Sequence, residues 1–496
     1  MLRPAAVLLF LVSGCLASGC VPALTAASST PSGQAAMERA VQSALVRAGL
    51  AAPGAAPADT ARAPAALVAG PMLADVTQRG ATVWVQTDRP ALVALRVAGP
   101  GAARVTEPVP TAPDGTAAVE LFGLEPGTAY RYTVLVDGAE VARPYPTALR
   151  TQPLWQWRTD PPETTLAFGS CFYDNDPAYE RPGDPYGGPT DIFEAVRTAG
   201  PDGRAPDAML WLGDNLYLRE VDWWSPAGIG YRYAHARRHP DLQALLAAAP
   251  HYATWDDHDY GPNDSDRSYI HKDAALATFQ RYWPNPTYGH DGVRGVFTQF
   301  QVGDAEVFLL DNRTHRSPND APEPRTVLGE AQLGWLLDAL TASRAPLKVV
   351  ALGGQFLNPT PIFETYALIA PEERQRILDG IAEREIDGVL FLSGDRHHGE
   401  LIRIERPGTY PLYEFTSSPL TAGASTYALR ENSPERENAA RVPGTLVAGA
   451  RNFGTLTLAG PRLDRTLTLR AFGAAGELLW EQAMPLNALR TPRDDG

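Results

Sequence analysis

The amino-acid sequence predicts an α/β (α+β) protein in which a buried sheet is flanked by helices and preceded by a small all-β domain. After residue 163, six short apolar segments alternate with amphipathic segments, which is typical of strands covered by helices. Before that point, apolar and polar residues alternate with a period of two, as in half-buried strands. At 496 residues the chain exceeds one ordinary core, so at least two domains are expected.

The all-β domain is predicted over residues 67–155. Residues 81–87, 91–97 and 130–136 alternate in strand fashion, and turn sequences such as Pro-Asp-Gly and Asp-Gly separate the strands. The stretch 124–132 resembles the strand corner of fibronectin type III-like sandwiches. We therefore expect a small fibronectin type III-like β-sandwich that contributes no catalytic residue.

The α/β domain is predicted over residues 163–485. Its strands are expected at 165–168, 208–212, 252–255, 307–310, 349–352 and 389–392. Apolar residues at helical spacing lie between them, at 192–196, 242–246, 333–340 and 377–381. Three later strand-like segments, 412–416, 452–458 and 466–472, either extend the same sheet or pack as a second one.

Residues 1–20 have the features of an export signal with a lipobox. Arg3 precedes an apolar run, 5–12, that is far too short to span a bilayer. Cys15 and Cys20 each follow small residues, as lipidated cysteines do, although a plain signal peptide is the alternative. Residues 21–66 form a linker with one amphipathic helix at 34–48. We expect an exported protein of the bacterial cell envelope, periplasm-facing or on the outer surface, held to the membrane only by a lipid anchor.

Charge and cysteine content narrow the classes of function. The 43 basic and 57 acidic residues give a net charge of −14, and no basic stretch exists to neutralise a nucleic-acid backbone. An acidic protein can still bind an anionic substrate where metal ions reverse the local charge. Of three cysteines only Cys171 lies in the predicted folded body, so it either pairs with Cys20 or ligates a metal.

Polar clusters follow the ends of the predicted buried strands. They are Gly-Ser-Cys at 169–171, Gly-Asp-Asn-Leu-Tyr at 213–217, Asp-Asp-His-Asp at 256–259, Asp-Asn-Arg at 311–313 and Ser-Gly-Asp-Arg-His-His at 393–398. Strand ends in open α/β sheets converge on one crevice, so these clusters are expected to meet. A thiolate, a phenolate and an imidazole suit iron, whereas carboxylate and amide oxygens suit calcium, magnesium or manganese. The ligand types thus predict two unlike metal positions.

Two metal ions a few ångströms apart need a bridging Asp, and a phosphate group can clamp across both. Such a pair lowers the pKa of bound water and supplies hydroxide near neutral pH. His258, next to Asp257, is suited to act as the general acid for a leaving alcohol. These residues predict an enzyme that hydrolyses phosphate esters.

Three of the clusters, at 213–214, 256–259 and 393–397, resemble the motifs of calcineurin-like metallophosphoesterases. Cys171 and the Gly-Asp-x-x-Tyr pattern of Asp214 and Tyr217 make the chain more specifically similar to the alkaline phosphatase D (PhoD-like) family, over nearly all of residues 70–475. The resemblance implies a metallophosphoesterase-type sheet sandwich, hydrolysis of phosphomonoesters and phosphodiesters, and a ferric ion with calcium. Other divalent ions suit the same oxygen ligands.

The resemblance also assigns roles by position. The expected metal ligands are Cys171, Asp214, Tyr217 and His397 for iron, and Asp257, Asp395 and Asn263 for calcium. Asp214 would bridge the ions, and His258 would meet the leaving group beside Asp257. The family's separate His after a middle strand is absent, and Gln355 stands near that place without a role.

Weaker predictions concern the substrate. Arg237, Arg313 and His398 are candidates for substrate binding, with an ion-paired or structural role as the alternative for each. A cell-envelope binding lipoprotein with a vestigial site is the second hypothesis, and the complete ligand set argues against it. A serine hydrolase is excluded because no Gly-x-Ser-x-Gly elbow is present. We expect a monomer that acts on a phosphate ester of open identity.

Overall fold

The computed structural model describes residues 65–492, which belong to one compact unit. The predicted signal segment, the helix at 34–48 and both candidate lipidation sites, Cys15 and Cys20, lie outside the described residues. Within residues 65–492, no helix is long and apolar enough to cross a membrane.

Residues 67–150 form two antiparallel sheets. The first contains β1 (Leu67–Ala74), β2 (Gly80–Thr87) and β6 (Thr116–Phe122). The second contains β3 (Leu92–Ala98), β4 (Arg104–Val105), β5 (Val109–Pro110), β7 (Ala129–Val136), β8 (Ala139–Val141) and β9 (Ala148–Arg150). Val83 and Val119 of one sheet and Leu95 and Val134 of the other share a core. The predicted all-β architecture is present, while its likeness to fibronectin type III stays a prediction.

The rest of the chain contains two six-stranded sheets. The first has the order β12-β11-β10-β19-β20-β21, and its strands are β10 (Thr164–Gly169), β11 (Ala208–Leu212), β12 (His251–Thr254), β19 (Asn452–Ala459), β20 (Thr466–Gly473) and β21 (Leu478–Pro485). Strands β10, β11 and β12 are parallel, and the other three continue the sheet in antiparallel fashion.

The second sheet has the order β13-β14-β15-β16-β18-β17. Its strands are β13 (Thr298–Val302), β14 (Ala305–Leu309), β15 (Leu347–Ala351), β16 (Val389–Ser393), β17 (Glu400–Ile404) and β18 (Leu412–Thr416). The four central strands are parallel, and β13 and β17 are antiparallel edges.

Helices cover the outer faces of the two sheets. They are α1 (Ile192–Arg197), α2 (Pro226–Arg237), α3 (Gln243–Ala248), α4 (Asp257–Tyr260), α5 (Lys272–Tyr282), α6 (Gly329–Ala342), α7 (Tyr366–Ile369) and α8 (Pro371–Glu383). Side chains of α1, α2, α3 and α5 pack on the first sheet, and those of α6 and α8 pack on the second. The layers therefore run helix, sheet, sheet, helix.

The six predicted core strands thus divide between two sheets instead of forming one. In β10, Leu166 and Phe168 share a core with Val349 and Leu390 of the second sheet, whereas Ala167 packs with the helices. Strands apolar on both faces have the same sequence pattern in one sheet or in two packed sheets. Of the segments left open, 412–416 joins the second sheet, and 452–458 and 466–472 extend the first.

The β-sandwich is fixed to helix α5. The indole N–H of Trp84 donates to the carbonyl of Arg281 at 2.7 Å, and the side-chain amide of Gln86 donates to the Tyr282 hydroxyl at 2.9 Å. Strand β1 also donates from the Gly70 amide to Gln243 on α3 at 2.8 Å. These contacts hold the sandwich on the helical layer of the first sheet.

Candidate metal centre

A cavity of about 380 Å³ lies where parallel strands of both sheets end. It is lined by Tyr186, Asp214, Asp257, His258, Asn263, Asp264, Asn319, Phe363, Glu364, Asp395, Arg396, His397 and Ser425. The residues after β11, β12 and β16 supply most of the ionisable groups in this list. None of the lining residues comes from the β-sandwich, so that part of the chain contributes nothing to the described cavity.

Cys171 follows β10 and is fully buried, with a left-handed φ of 62°. Its Sγ lies 3.6 Å from Oδ2 of Asp214 and accepts a hydrogen bond from the Ser418 hydroxyl at 3.2 Å. Burial, and after it the charge of Asp214, raises the pKa of the thiol well above its usual value. Because a buried thiolate beside a carboxylate needs a compensating positive charge, the position fits a metal ligand.

His397 lines the cavity, and the buried Tyr217 lies next to it. Nδ1 of His397 lies 2.8 Å from the carbonyl oxygen of Gly423, which places the proton on Nδ1 and leaves the lone pair on Nε2. Nε2 lies 3.0 Å from the hydroxyl of Tyr217. The donor atoms of Cys171, Asp214 and His397 all lie within 4.8 Å of one another. Sulfur, phenol oxygen and imidazole nitrogen therefore lie close together, a set of donor atoms that suits a transition metal.

Asp214 is shared by two sets of donor atoms. Besides Cys171 and His397, it forms a second set with Asp257 and His258, again within 4.8 Å. Burial and then the charge of Asp257 raise its pKa well above the usual value, so the ionised form calls for a nearby cation. Gly213 before it has a φ of 87°, and a Cβ there would come within 2.6 Å of the Cβ of Asp256. This glycine lets the two strand ends approach closely, with Asp214 in both sets of donor atoms.

Helix α4 separates structural from cavity-facing residues within the Asp-Asp-His-Asp cluster. Asp256 and Asp259 form a capping box, in which each side chain accepts the backbone N–H of the other residue. Asp257 and His258, which lie between these two residues in the sequence, line the cavity. Adjacent helical residues point in different directions, which explains why the four polar residues have two different functions.

Carboxylates dominate the opposite side of the cavity. Asp257, Asp264 and Glu364 have oxygen atoms within 4.8 Å of one another, and Oδ2 of Asp257 accepts the backbone N–H of Asp264 at 2.7 Å. Burial, followed by the charge of Glu364, raises the pKa of Asp264 to about 6. Asp395 and the exposed Asn263 line the same cavity, and Asp395 does not belong to the close sets of acidic, His and Cys side chains among the described residues. An all-oxygen group of this kind suits a hard divalent ion.

His258 lies between the two sides. Its ring centroid is 4.3 Å from that of Tyr217, and its Nδ1 is buried without a hydrogen-bond partner in the described structure. Burial lowers the pKa of the imidazole, and the neighbouring Asp257 carboxylate offsets only part of this fall. An unpartnered nitrogen in the cavity wall is free to bond an oxygen atom of a substrate.

The predicted substrate contacts of Arg237 and His398 are not supported by their positions. Arg237 is buried beside the sandwich, donates to the carbonyl of Tyr282 at 3.0 Å and stacks 3.9 Å from the ring centroid of Trp283. His398 is buried with its Nε2 3.2 Å from Oε1 of Glu400. Neither residue lines the cavity, because one points into an apolar layer and the other into a buried ion-pair network.

Arg313 is a buried counterion and not part of the cavity wall. Its Nε donates to Oδ1 of Asp256 at 2.5 Å, its Nη2 pairs with Glu364, and the same nitrogen lies 4.0 Å from Asp257. Opposite charges at these distances keep the carboxylates ionised and fixed. The structure therefore gives Arg313 a positioning role instead of the predicted substrate contact.

Several cavity residues were not singled out from the sequence: Tyr186, Asp264, Asn319, Phe363, Glu364, Arg396 and Ser425. Most lie in loops that have neither hydrophobic periodicity nor a preceding strand. Two of them carried a signal, since Arg396 stands between two predicted ligands and Asp264 ends the polar cluster that follows Trp255 in the sequence. Gln355 also gains a place: it is buried, and its Oε1 accepts from Nη1 of Arg396 at 3.0 Å.

Comparisons with known proteins agree with this geometry. Residues 183–464 match the PhoD-like phosphatase family, and residues 64–154 match a domain of unknown function, DUF7800. Alkaline phosphatase D of Bacillus subtilis (strain 168) is 25% identical over 335 residues. That alignment spans 56% of this chain and only 52% of the Bacillus protein, about half of each.

Solved structures show a shared fold. A structure of PhoD superposes with a TM-score of 0.67 at 18% identity, over 86% of this chain and 90% of that one. A purple acid phosphatase, PPD1 from yellow lupin (Lupinus luteus) seeds, gives 0.58 at 11% identity, over 84% of this chain and 74% of that one. At such identities the likeness concerns the fold alone, two packed sheets with helices outside.

Proposed function

Because the chain belongs to the PhoD-like phosphatase family, we propose that it is an exported, metal-dependent phosphoesterase that hydrolyses phosphate mono- and diesters. One observation carries the proposal: Asp214 belongs to two sets of donor atoms, each within 4.8 Å, one with Cys171 and His397 and one with Asp257 and His258. Of the second set we assign Asp257 to the metal and His258 to proton transfer. A shared carboxylate between two donor sets is what a pair of metal ions requires.

The two donor sets favour different ions. Cys171, Tyr217, His397 and Asp214 would hold a ferric ion, because thiolate, phenolate and imidazole suit iron. Asp257 and Asp395, with Asn263 as a helper, would hold calcium, and Asp264 and Glu364 add carboxylates on that side. When bound, the ion pair would lower the pKa of a coordinated water and draw charge from the phosphate oxygens.

The chain's own residues orient the substrate and handle its proton. Arg396 is the only Arg or Lys among the described residues of the cavity wall, so it is the side chain suited to attract the phosphate. His258 would donate its proton to the leaving oxygen, and Asp257 favours the protonated imidazole against the effect of burial. The ring of Tyr217 contacts the ring of His258 and helps to keep the imidazole in position.

The second hypothesis is a binding lipoprotein with a vestigial site. A site that no longer works would be expected to have lost ligands. Here each of Cys171, Asp214, Tyr217, Asp257 and His397 lies within hydrogen-bonding or ligating distance of at least one of the others. The geometry therefore favours the enzyme. Export and lipid attachment at Cys15 or Cys20 belong to the proposal as well, and mass spectrometry of the mature N-terminus tests them.

A panel of esters tests the activity. The purified chain, loaded with iron and calcium, is expected to hydrolyse 4-nitrophenyl phosphate and bis(4-nitrophenyl) phosphate, and the Asp214→Asn variant prepared in parallel should be inactive. A metal-loaded protein with no activity on either ester would contradict the proposed function. Activity that the variant retains would show that a contaminant or another site is responsible.

A further inference from the structure

Phe363 is a large apolar side chain in the wall of the metal-site cavity. Its side chain is 52% exposed, and it lines the same cavity as Asp257 and His258. Every other described residue of that wall carries a polar or charged group. Ligand cavities combine apolar side chains with a few polar groups, so the one apolar ring among the described residues of this wall suggests contact with an apolar part of a ligand.

The loop that carries Phe363 is held in one conformation. Phe363 has a φ of 48°, in the left-handed region that bulky residues avoid. Next to it, the carboxylate of Glu364 is fixed by Arg316 at 2.6 Å and by Arg313. Thr365 closes the turn through its hydroxyl, which donates to the carbonyl of Thr360 at 3.0 Å. Strained conformations kept by their surroundings occur mainly at functional sites.

Two neighbours also fix the ring itself. The guanidinium carbon of Arg396 lies 4.8 Å from the ring centroid, and the Tyr427 ring lies 5.0 Å away at 78°. Arg396 is in turn held by Gln355 at 3.0 Å and by Glu435 at 2.8 Å. The ring is thus fixed before any ligand binds, which lowers the entropy lost on binding.

We propose that Phe363 binds the leaving group of the substrate, and that this group carries a planar aromatic ring, as in an aryl or nucleoside phosphate. The inference rests on the proposed function. With the phosphate between Asp214, Asp257 and Arg396, the leaving group occupies the remaining cavity, which Phe363 borders. Aromatic faces stack favourably on planar rings, whereas an alkyl group gains less. A cationic leaving group such as choline is disfavoured, because Arg396 already places a positive charge near the ring.

Two esters of similar size test the proposal on the metal-loaded protein: phenyl phosphate, which is planar, and cyclohexyl phosphate, which is not. Phe363→Ala is expected to lower kcat/KM about tenfold for phenyl phosphate or a nucleoside 5′-monophosphate, and less than about twofold for cyclohexyl phosphate. Phe363→Tyr should keep the wild-type values. If kcat/KM falls for phenyl phosphate alone, Phe363 contacts a substrate ring that is bonded directly to the ester oxygen. If it falls for the nucleotide alone, Phe363 contacts a base that lies beyond the sugar.

Trp157→Ala is the matched control, since Trp157 is also an exposed aromatic residue with a left-handed φ, of 63°, but does not line the cavity. This variant should leave kcat/KM unchanged for all three substrates. Equal falls for the planar and non-planar esters, or no fall for any, would overturn the inference while leaving the phosphatase proposal intact.

Binding of phosphonates gives a second measurement that does not depend on turnover. Wild-type protein is expected to bind phenylphosphonate about tenfold more tightly than cyclohexylphosphonate in calorimetry, and Phe363→Ala should remove the difference. Equal affinities in the wild type would overturn the inference. Absence of hydrolysis together with a preserved preference for the aryl ligand would contradict the proposed function and support the subsite.

Discussion

The half of the proposed metal centre that contains Cys171 and the half that contains Asp257 have different donor atoms and different surroundings. Around Cys171 the donors are sulfur, phenol oxygen and imidazole nitrogen, and the rings of Tyr173 and Tyr186 pack against them. Around Asp257 the donors are carboxylate oxygens that face the cavity, with buried arginines as counterions. We call these the sulfur half and the carboxylate half.

This difference indicates that the two halves serve different purposes, one to retain an ion and the other to present an ion to the substrate. The sulfur half is buried and bonded mainly to the strand ends of both sheets, which suits an ion that stays in place. The carboxylate half is open to the cavity and depends on the loops at 262–264 and 360–365, which suits an ion that meets the substrate. Asp214 lies between them, so changes on either side should separate the two halves experimentally.

Substitution of the shared carboxylate should have the largest effect. Asp214→Asn is expected to lower the content of both metals and to reduce kcat/KM by more than about a hundredfold, because loss of even an outer partner of a metal ligand costs about 10–100-fold. Elemental analysis and ester hydrolysis provide the measurements. If the variant kept both ions at wild-type levels, Asp214 would not be the bridge.

Asp257→Asn should affect one half only. Loss of the carboxylate is expected to remove the ion of the carboxylate half, leave iron in the sulfur half, and lower activity by about a hundredfold. Asp273→Asn is the control, because Asp273 is an exposed acid paired with Arg294 outside the cavity. Simultaneous loss of iron in Asp257→Asn would show that the two halves do not bind metal independently.

His258→Gln should leave both halves loaded. General acid catalysis contributes about 10²-fold or more, and it matters most for poor leaving groups. The variant is therefore expected to lose about a hundredfold on alkyl phosphates but much less on 4-nitrophenyl phosphate, with unchanged metal content. A uniform loss across leaving groups would exclude the proton-donor role.

Gln355→Ala tests the support behind the cavity wall. Gln355 bonds Glu400 at 2.7 Å and Arg396 at 3.0 Å, so its loss leaves buried charges with fewer partners. We expect the free energy of unfolding to fall by about 1–3 kcal/mol, with metal content preserved. Chemical denaturation measures the stability of the variant, and elemental analysis measures its metal content. A loss of iron at unchanged stability would show that Gln355 belongs to the sulfur half.

Arg237→Met should have the smallest effect on activity, because Arg237 lies beside Trp283 and away from both halves. Its kcat/KM is expected to stay within about twofold of the wild-type value, since Met retains much of the buried apolar volume. A large rise in KM with unchanged metal content would show that Arg237 binds the substrate after all.

The strand-end ligands could be predicted from the sequence because each follows a short apolar strand, and parallel strand ends meet in space. The structure brings Cys171, Asp214, Asp257, Asp395 and His397 to one cavity or its edge accordingly. The resemblance to metallophosphoesterases implied a sheet sandwich, but the apolar pattern alone did not assign the strands to its two sheets. Strands buried on both faces have the same pattern whichever strands they pair with.

Arginines and loop residues show the other limit of sequence reasoning. Arg237 and Arg313 look alike in the sequence, yet one packs on tryptophan and the other holds carboxylates beside the cavity. Glu364 and Phe363 lie in a loop without periodicity, and only tertiary contacts with Arg316 and Arg396 reveal their position. Loop geometry depends on such distant partners, which local patterns do not encode.

The most direct test of the two-half account is the metal content and visible spectrum of wild-type protein and Cys171→Ala. The wild type is expected to contain iron and calcium, to show a charge-transfer band from phenolate or thiolate bound to ferric iron, and to hydrolyse phosphate esters. Cys171→Ala should lose the iron, the band and most of the activity, while far-ultraviolet circular dichroism stays unchanged. Full iron content in Cys171→Ala, or a colourless, iron-free wild type that stays inactive after reconstitution, would contradict the account.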